Sequence, residues 1–285
     1  MKVQTVGVIG SGTMGAGIAQ VISQNGFSVL LYDINEEMVQ RSLSRIHSQI
    51  DKLFEKGKLT ESESQGIKIR LRTTVQLADL QVCQIVIEAA PEKMEVKRNI
   101  FQELDPYCSK ETILATNTSS FSITEIAGFT NQPERVAGLH FFNPATLMPL
   151  VEVISGLRTS EATMESLANF ARSINKSPVT CKDTPGFIVN RIARPYYNEA
   201  LRIMGDQMAS AAQIDRIMTK AGKFRMGPFE LQDMIGVDIN FSTTESLHQG
   251  FFGDARFRPH YYQQRMVQSG QLGRKSGGGY YEYDK

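Results

Sequence analysis

Thr5-Val6-Gly7-Val8-Ile9 runs straight into Gly10-Ser11-Gly12-Thr13-Met14-Gly15, and a helical period follows from Met14 to Asn25. A short apolar strand, a G-x-G-x-x-G loop and a helix start, in that order, open a nucleotide-binding βαβ unit. Gly10 permits the tight turn, Gly12 lets backbone approach a pyrophosphate, and Gly15 allows the helix to pack closely on the strand. Thr13 and Met14 begin a helix whose unpaired N–H groups and partial positive charge suit the phosphates. The glycine pattern alone is weak, and its place between strand and helix makes it specific. Asp33 ends the next strand, eighteen residues after Gly15. A carboxylate there accepts the ribose hydroxyls of an adenosine and repels a 2′-phosphate, which predicts NAD over NADP. The plain alternative for Asp33 is a strand-end turn residue.

Outward from this unit the rhythm repeats. Ser28–Tyr32, Ile85–Glu88, Thr112–Thr116, Val136–Phe141 and Leu150–Ile154 are short continuous apolar runs, as strands covered on both faces should be. Helical stretches such as Glu92–Leu104 fill the gaps. Strand and helix in alternation predict an α/β, Rossmann-type doubly wound sheet, mostly parallel. One charged, helix-forming stretch from about Glu36 to Arg70 breaks the rhythm. It reads as two helices joined near Lys56–Leu59, standing off the sheet as an arm. Asp183-Thr184-Pro185-Gly186 is a helix-start signal, with Thr184 as cap and Pro185 at the first helical position. Beyond it the periods are helical: 186–204, 211–221, 228–249 and 259–269. The expected division is therefore 1–184 for the nucleotide-binding domain, with the arm at about 36–70, and 185–285 for an all-helical domain.

Composition narrows the function. The chain has 285 residues, which at about 150 per domain means roughly two domains. Lys and Arg total 31 against 30 Asp and Glu, so no global charge draws it to nucleic acid or an anionic membrane. No apolar run reaches the roughly 18 residues of a membrane span. Cys83, Cys108 and Cys181 form no CxxC pair, so neither a disulfide framework nor a metal cluster is expected. A reducing, cytoplasmic setting is the expectation.

Of four histidines, His47, His248 and His260 lie in polar or helix-end surroundings. His140 ends an apolar strand in His140-Phe141-Phe142-Asn143-Pro144, and ligands bind at the carboxyl ends of such strands. Twelve residues on, Glu152 lies inside the apolar run Leu150-Val151-Glu152-Val153-Ile154. A buried carboxylate needs a partner, and a His–Glu pair is the acid–base half of a hydride-transfer site. Ser119, in Asn117-Thr118-Ser119-Ser120 after another strand end, and Asn190 could hydrogen-bond a substrate oxygen. Taken singly, each has a bland reading: a core histidine, a structural glutamate, a turn or a cap.

Gly10–Gly15, Glu88-Ala89-Ala90, Thr116–Ser120, His140–Pro144, Leu150–Val153, Pro185–Arg191, Met226-Gly227-Pro228 and Leu272–Gly277 appear in that order. Together they resemble the L-3-hydroxyacyl-CoA dehydrogenase family, most closely its short single-function 3-hydroxybutyryl-CoA members, over essentially the whole chain. The resemblance implies reversible oxidation of L-3-hydroxyacyl-CoA by NAD. His140 matches the catalytic histidine and Glu152 its partner; Ser119 and Asn190 match substrate-oxygen contacts. Asp33 matches the adenosine-ribose ligand. Glu92, Lys97, Asn143 and Lys275 match residues lining the cofactor site. The arm resembles the family's acyl-CoA-contacting arm, which puts Lys52 and Lys56 near CoA; by themselves they are a solvated helix face. A homodimer through the helical domain is implied. Where many members carry lysine, this chain has Pro149. The rival readings are a 3-hydroxyadipyl-CoA-type dehydrogenase, a hydroxyacid dehydrogenase that uses lysine for proton transfer, a non-catalytic crystallin-like relative and an NAD-sensing module.

Overall fold

The computed structural model describes residues 2–284. The chain divides into two compact units, Met1–Thr184 and Pro185–Lys285. In the first, β1 (Thr5–Ile9), α1 (Thr13–Gln24) and β2 (Ser28–Tyr32) lead into α2 (Glu36–Glu55), α3 (Glu61–Ile69) and β3 (Leu71–Thr74). Then come β4 (Ile85–Glu88), α4 (Met94–Tyr107), β5 (Ile113–Thr116), α5 (Ile123–Ala127) and β6 (Val136–Phe141). β7 (Leu150–Ser155), α6 (Glu161–Ser173) and β8 (Ser177–Lys182) complete the unit. The strands form one sheet in the order β3-β2-β1-β4-β5-β6-β7-β8. Among the described strands of this sheet only the β6–β7 pairing is antiparallel. The expected doubly wound, mostly parallel sheet is present. Its order reverses between β1 and β4, the crevice where such sheets bind ligands.

The sequence reading missed the edge strands β3 and β8. Their sequences, Leu-Arg-Thr-Thr and Ser-Pro-Val-Thr-Cys-Lys, are half polar, and much of β8 is exposed. An edge strand has less to bury than a central one, so it carries no apolar run, and Pro178 is tolerated only there.

Finding β3 also changes the reading of the charged stretch before it. It is the crossover from β2 to β3: the two expected helices are present as α2 and α3, and both pack against α1 and the edge strand β3. Asn35 caps α2 by accepting from the Met38 N–H, and Thr60 with Glu63 forms a capping box on α3. Val39, Ile46, Ile50 and Ile67 are buried in the same core as Val6, Val8, Leu31 and Leu71. Their opposite faces carry the charge.

The second unit holds α7 (Val189–Gly205), α8 (Ala211–Lys220), α9 (Pro228–Ile235), α10 (Val237–Gly250) and α11 (Tyr261–Gln268) around Ala200, Leu201, Ile214 and Phe229. Two sequence expectations need correction here. Helix α7 begins at Val189, with Ile188 as its cap position, so Thr184 caps nothing and Asn190 is the second helical residue. Gly186 and Phe187 both have positive φ, 75° and 49°, and a right-handed helix cannot pass through them. The single period read over 228–249 is two helices, broken at Gly236, where φ is 110°. Asp215 of α8 caps α9 by accepting from the N–H groups of Phe229 and Glu230 at 2.9 and 2.8 Å. A Cβ on Gly227 would collide with that carboxylate, which explains Met226-Gly227-Pro228. Among the described residues no helix is long and apolar enough to cross a membrane.

Candidate active site

The glycine loop joins β1 to α1 at the sheet's reversal. No side chain caps α1, and its first turn holds no acidic residue, so its N–H groups remain available to an anion. A Cβ on Gly12 would meet nothing within 4 Å, whereas one on Gly15 would collide with the Gly10 carbonyl oxygen. Gly15 is thus demanded by the protein itself, and Gly12 leaves open space over the helix start. Asp33 Oδ2 accepts from the Ser11 N–H at 2.8 Å and its hydroxyl at 2.6 Å. Oδ1 takes no hydrogen bond from the described residues. The loop, the uncapped helix and Asp33 fit a dinucleotide.

Two strands along from β4, His140 and Glu152 stand directly opposite each other in the antiparallel register of β6 and β7. Both are buried, and His140 Nδ1 lies 2.8 Å from Glu152 Oε2. Facing an ionised carboxylate, which only accepts, a neutral imidazole would donate through Nδ1 and keep its lone pair on Nε2. The Phe142 ring lies 4.5 Å from the imidazole, centroid to centroid. Asn117, at the end of β5, accepts from the Phe141 N–H at 2.8 Å and ties the two strand ends together.

Between these features lies a network that sequence reasoning only grazed. Glu88 ends β4 and is fully buried. Lys97 Nζ donates to both its oxygens and also meets Glu92 at 3.1 Å. Glu92 in turn accepts from the Thr118 hydroxyl, the Ser119 N–H at 3.1 Å and the Ser120 hydroxyl at 2.9 Å. Burial alone would raise the Glu92 carboxyl, but the Lys97 charge and the bonds from Thr118, Lys97 and Ser120 outweigh it and hold the carboxyl below its usual range. Further along this loop, Asp183 accepts from the Ser122 hydroxyl and the Thr124 N–H, both at 2.7 Å. The sequence singles out neither Glu88 nor Thr116 for a role, although both join this network, and Asp183 caps the start of α5. A carboxylate closing the apolar strand Ile85-Val86-Ile87 was the readable signal for the first, by the logic that had singled out Glu152.

Asn143 lines a hollow of about 120 Å³ with Thr13, Gly17, Arg45 and Gln49. Lys52 and Lys56 are exposed, and neither has an ion-pair partner among the described residues. In the second unit, Asn190 is half-buried near the start of α7, and Lys275 pairs with Asp238 at 2.6 Å. The thiols are poor nucleophiles: burial pushes Cys83 up to about 12 and Cys108 and Cys181 up to about 11.

A sheet of this order with this loop at its reversal is a dinucleotide-binding fold. Family comparison specifies it further. Residues 5–184 match the 3-hydroxyacyl-CoA dehydrogenase NAD binding domain, and residues 186–283 match the C-terminal domain of that family. The chain belongs to the 3-hydroxyacyl-CoA dehydrogenases, a family of NAD-dependent oxidoreductases. It is 48% identical over 283 residues to the 3-hydroxyadipyl-CoA dehydrogenase of Escherichia coli, covering 99% of this chain but only 60% of that longer protein. It is 42% identical to a probable 3-hydroxybutyryl-CoA dehydrogenase of Bacillus subtilis, over 100% of this chain and 99% of that one. The crystal structure of (S)-3-hydroxybutyryl-CoA dehydrogenase from Ralstonia eutropha superposes with a TM-score of 0.96, at 40% identity and full coverage of both chains.

Proposed function

We propose that the protein interconverts L-3-hydroxyacyl-CoA and 3-ketoacyl-CoA with NAD, acting on short chains such as 3-hydroxybutyryl-CoA. The observation that carries the chemistry is the buried 2.8 Å contact between His140 and Glu152. In oxidation His140 Nε2 takes the hydroxyl proton, and Glu152 stabilises the imidazolium that results. In reduction the imidazolium returns that proton to the carbonyl oxygen. NAD, when bound, supplies the acceptor for the hydride. Ser119 and Asn190 are assigned to hydrogen bonds with the substrate's oxygens. The loop residues Gly10, Gly12, Thr13, Met14 and Gly15, with Asp33, hold the dinucleotide. Glu92, Lys97, Asn143 and Lys275 line its site, while Lys52 and Lys56 take the CoA phosphates.

The 48% identity to the Escherichia coli 3-hydroxyadipyl-CoA dehydrogenase favours a second reading, in which the acyl chain ends in a carboxylate. We place the enzyme in the cytoplasm as a homodimer formed through its helical unit. A non-catalytic role would need no histidine held by a buried carboxylate at a strand end.

The deciding experiment mixes the protein with acetoacetyl-CoA and NADH, or NADPH, and follows nicotinamide absorbance. Loss with NADH supports the reading, and a series of chain lengths with and without a terminal carboxylate then ranks the two substrates. No loss from folded protein that binds NADH refutes it. His140→Gln should bind NADH normally yet turn over roughly a hundredfold or more slowly. Near-normal turnover would remove His140 from the mechanism.

A further inference from the structure

Glu88 is wholly buried at the carboxyl end of β4, at 0% exposure. An unpaired carboxylate there would be costly, and this one is fully engaged. It accepts from Lys97 Nζ at 2.8 and 3.0 Å, from the Thr116 hydroxyl at 2.6 Å and from the Ala90 N–H at 2.8 Å. Lys97 is itself 1% exposed, and its ammonium reaches a second carboxylate, Glu92. Charge neutrality in the core needs only Glu88. The Glu92 side chain is 39% exposed, so solvent reaches it as well as Lys97. What Glu92 does with its position is grip the 118–120 turn, through the Thr118 hydroxyl, the Ser119 N–H and the Ser120 hydroxyl. The same turn is tied to Glu88 from its other flank: Thr116 donates to the carboxylate, and the Asn117 N–H donates to the Glu88 carbonyl at 2.7 Å. Ser119 enters this clamp by its backbone, which sets where its hydroxyl stands without consuming it.

We infer that Glu88 is a positioning residue: it holds Lys97, and through Lys97 the Glu92 carboxylate, so that the Ser119 hydroxyl is fixed at the strand ends. This rests on the reading of Ser119 as a substrate contact in the proposed dehydrogenase. Glu88→Gln keeps the shape and an acceptor for Thr116, but it no longer balances the Lys97 charge. Lys97, partly released, no longer anchors Glu92.

The test is a double-mutant cycle on the full chain, read with acetoacetyl-CoA and NADH. Glu88→Gln should lower kcat about tenfold or more, and in a Ser119→Ala background it should lower kcat no further. NADH binding, followed by fluorescence, should weaken several-fold in Glu88→Gln, because Glu92 and Lys97 lose their places. If the single variant folds poorly, Glu88→Gln with Lys97→Met removes both buried charges together. That double variant should melt near the wild-type temperature and stay slow. Wild-type kcat in either variant, or full additivity with Ser119→Ala, would overturn the inference and leave a merely structural ion pair. Wild-type protein that cannot reduce acetoacetyl-CoA would instead refute the proposed function. Ser119→Ala that turns over normally would remove the residue being positioned, and this inference with it.

Discussion

Gly12 and Gly15 look alike in the sequence and answer to different demands. Gly15 is required by the fold, because the Gly10 carbonyl oxygen occupies the place of its Cβ. Gly12 faces open space, so only a ligand would notice a methyl group there. Gly15→Ala should therefore destabilise the protein by about 1–3 kcal/mol or more, as overpacking does. Gly12→Ala should leave the melting temperature unchanged and weaken NADH binding about tenfold, or about 1.4 kcal/mol. Thermal melts and a fluorescence titration of both variants separate the two roles; equal losses of stability would contradict the assignment. At this scale much was legible. A histidine or a carboxylate in an apolar strand stands out because burial makes it expensive, and both His140 and Glu152 were found that way. Their direct opposition was not legible, because it needs the antiparallel register of β6 and β7. Glu88 closes a strand by the same rule, yet its partner Lys97 sits on a helix nine residues on, at a distance set by packing alone.

Elements buried on both faces were readable from their apolar runs; elements at edges were not. Leu71–Thr74 and Ser177–Lys182 pair on one side only, so selection for burial leaves a fainter mark on them. The α2–α3 pair shows the converse. Its charged face dominated the reading, although Val39, Ile46, Ile50 and Ile67 bind it to the sheet core. Its solvent face makes a separate prediction. Lys52 and Lys56 stand one turn apart at the end of α2. Replacing both by Ala should raise KM for acetoacetyl-CoA several-fold, leave kcat and NADH affinity nearly unchanged, and blunt the effect of added salt on KM. An unchanged KM at low salt would place CoA elsewhere. A second element-scale prediction concerns the buried pair of Asp105 on α4 and Arg135, 2.8 Å apart. Arg135 also donates to the Asp105 carbonyl at 3.0 Å. Arg135→Ala leaves the buried Asp105 carboxylate without its balancing charge, although the two Asn131 bonds remain, and should cost about 3–5 kcal/mol in chemical denaturation.

For the molecule as a whole, that same carboxyl contributes to acid sensitivity. Burial would raise Asp105, but the bonds from the Asn131 N–H, Arg135 and the Asn131 amide outweigh it and hold it below its usual range. A depressed carboxyl stabilises fully above its unfolded pKa, about 3.9, and the contribution is lost as pH falls through the lower folded value. The melting temperature should fall between about pH 5 and pH 3, and Arg135→Ala should flatten that fall. An unchanged slope in the variant would exclude the pair as its source. The helical unit leaves Ile192, Met208, Ile217 and Ile239 exposed on its surface. Sedimentation equilibrium should return the mass of two chains, and a single-chain mass at micromolar protein would refute the dimer.

What the sequence determined by itself was whatever is local or periodic. The β1 run, the glycine loop and the start of α1 are contiguous, so the dinucleotide fold could be read at one place. The central strands declared themselves because burial on both faces forces a continuous apolar run. Only the tertiary structure decided the rest: the opposition of His140 and Glu152, the chain of charges from Glu88 through Lys97 to Glu92, and the start of α7 at Val189. Those depend on register, on the reach of side chains between elements, and on backbone angles at Gly186 and Phe187. Each is set by the packing of residues far apart in the chain, which no local pattern records.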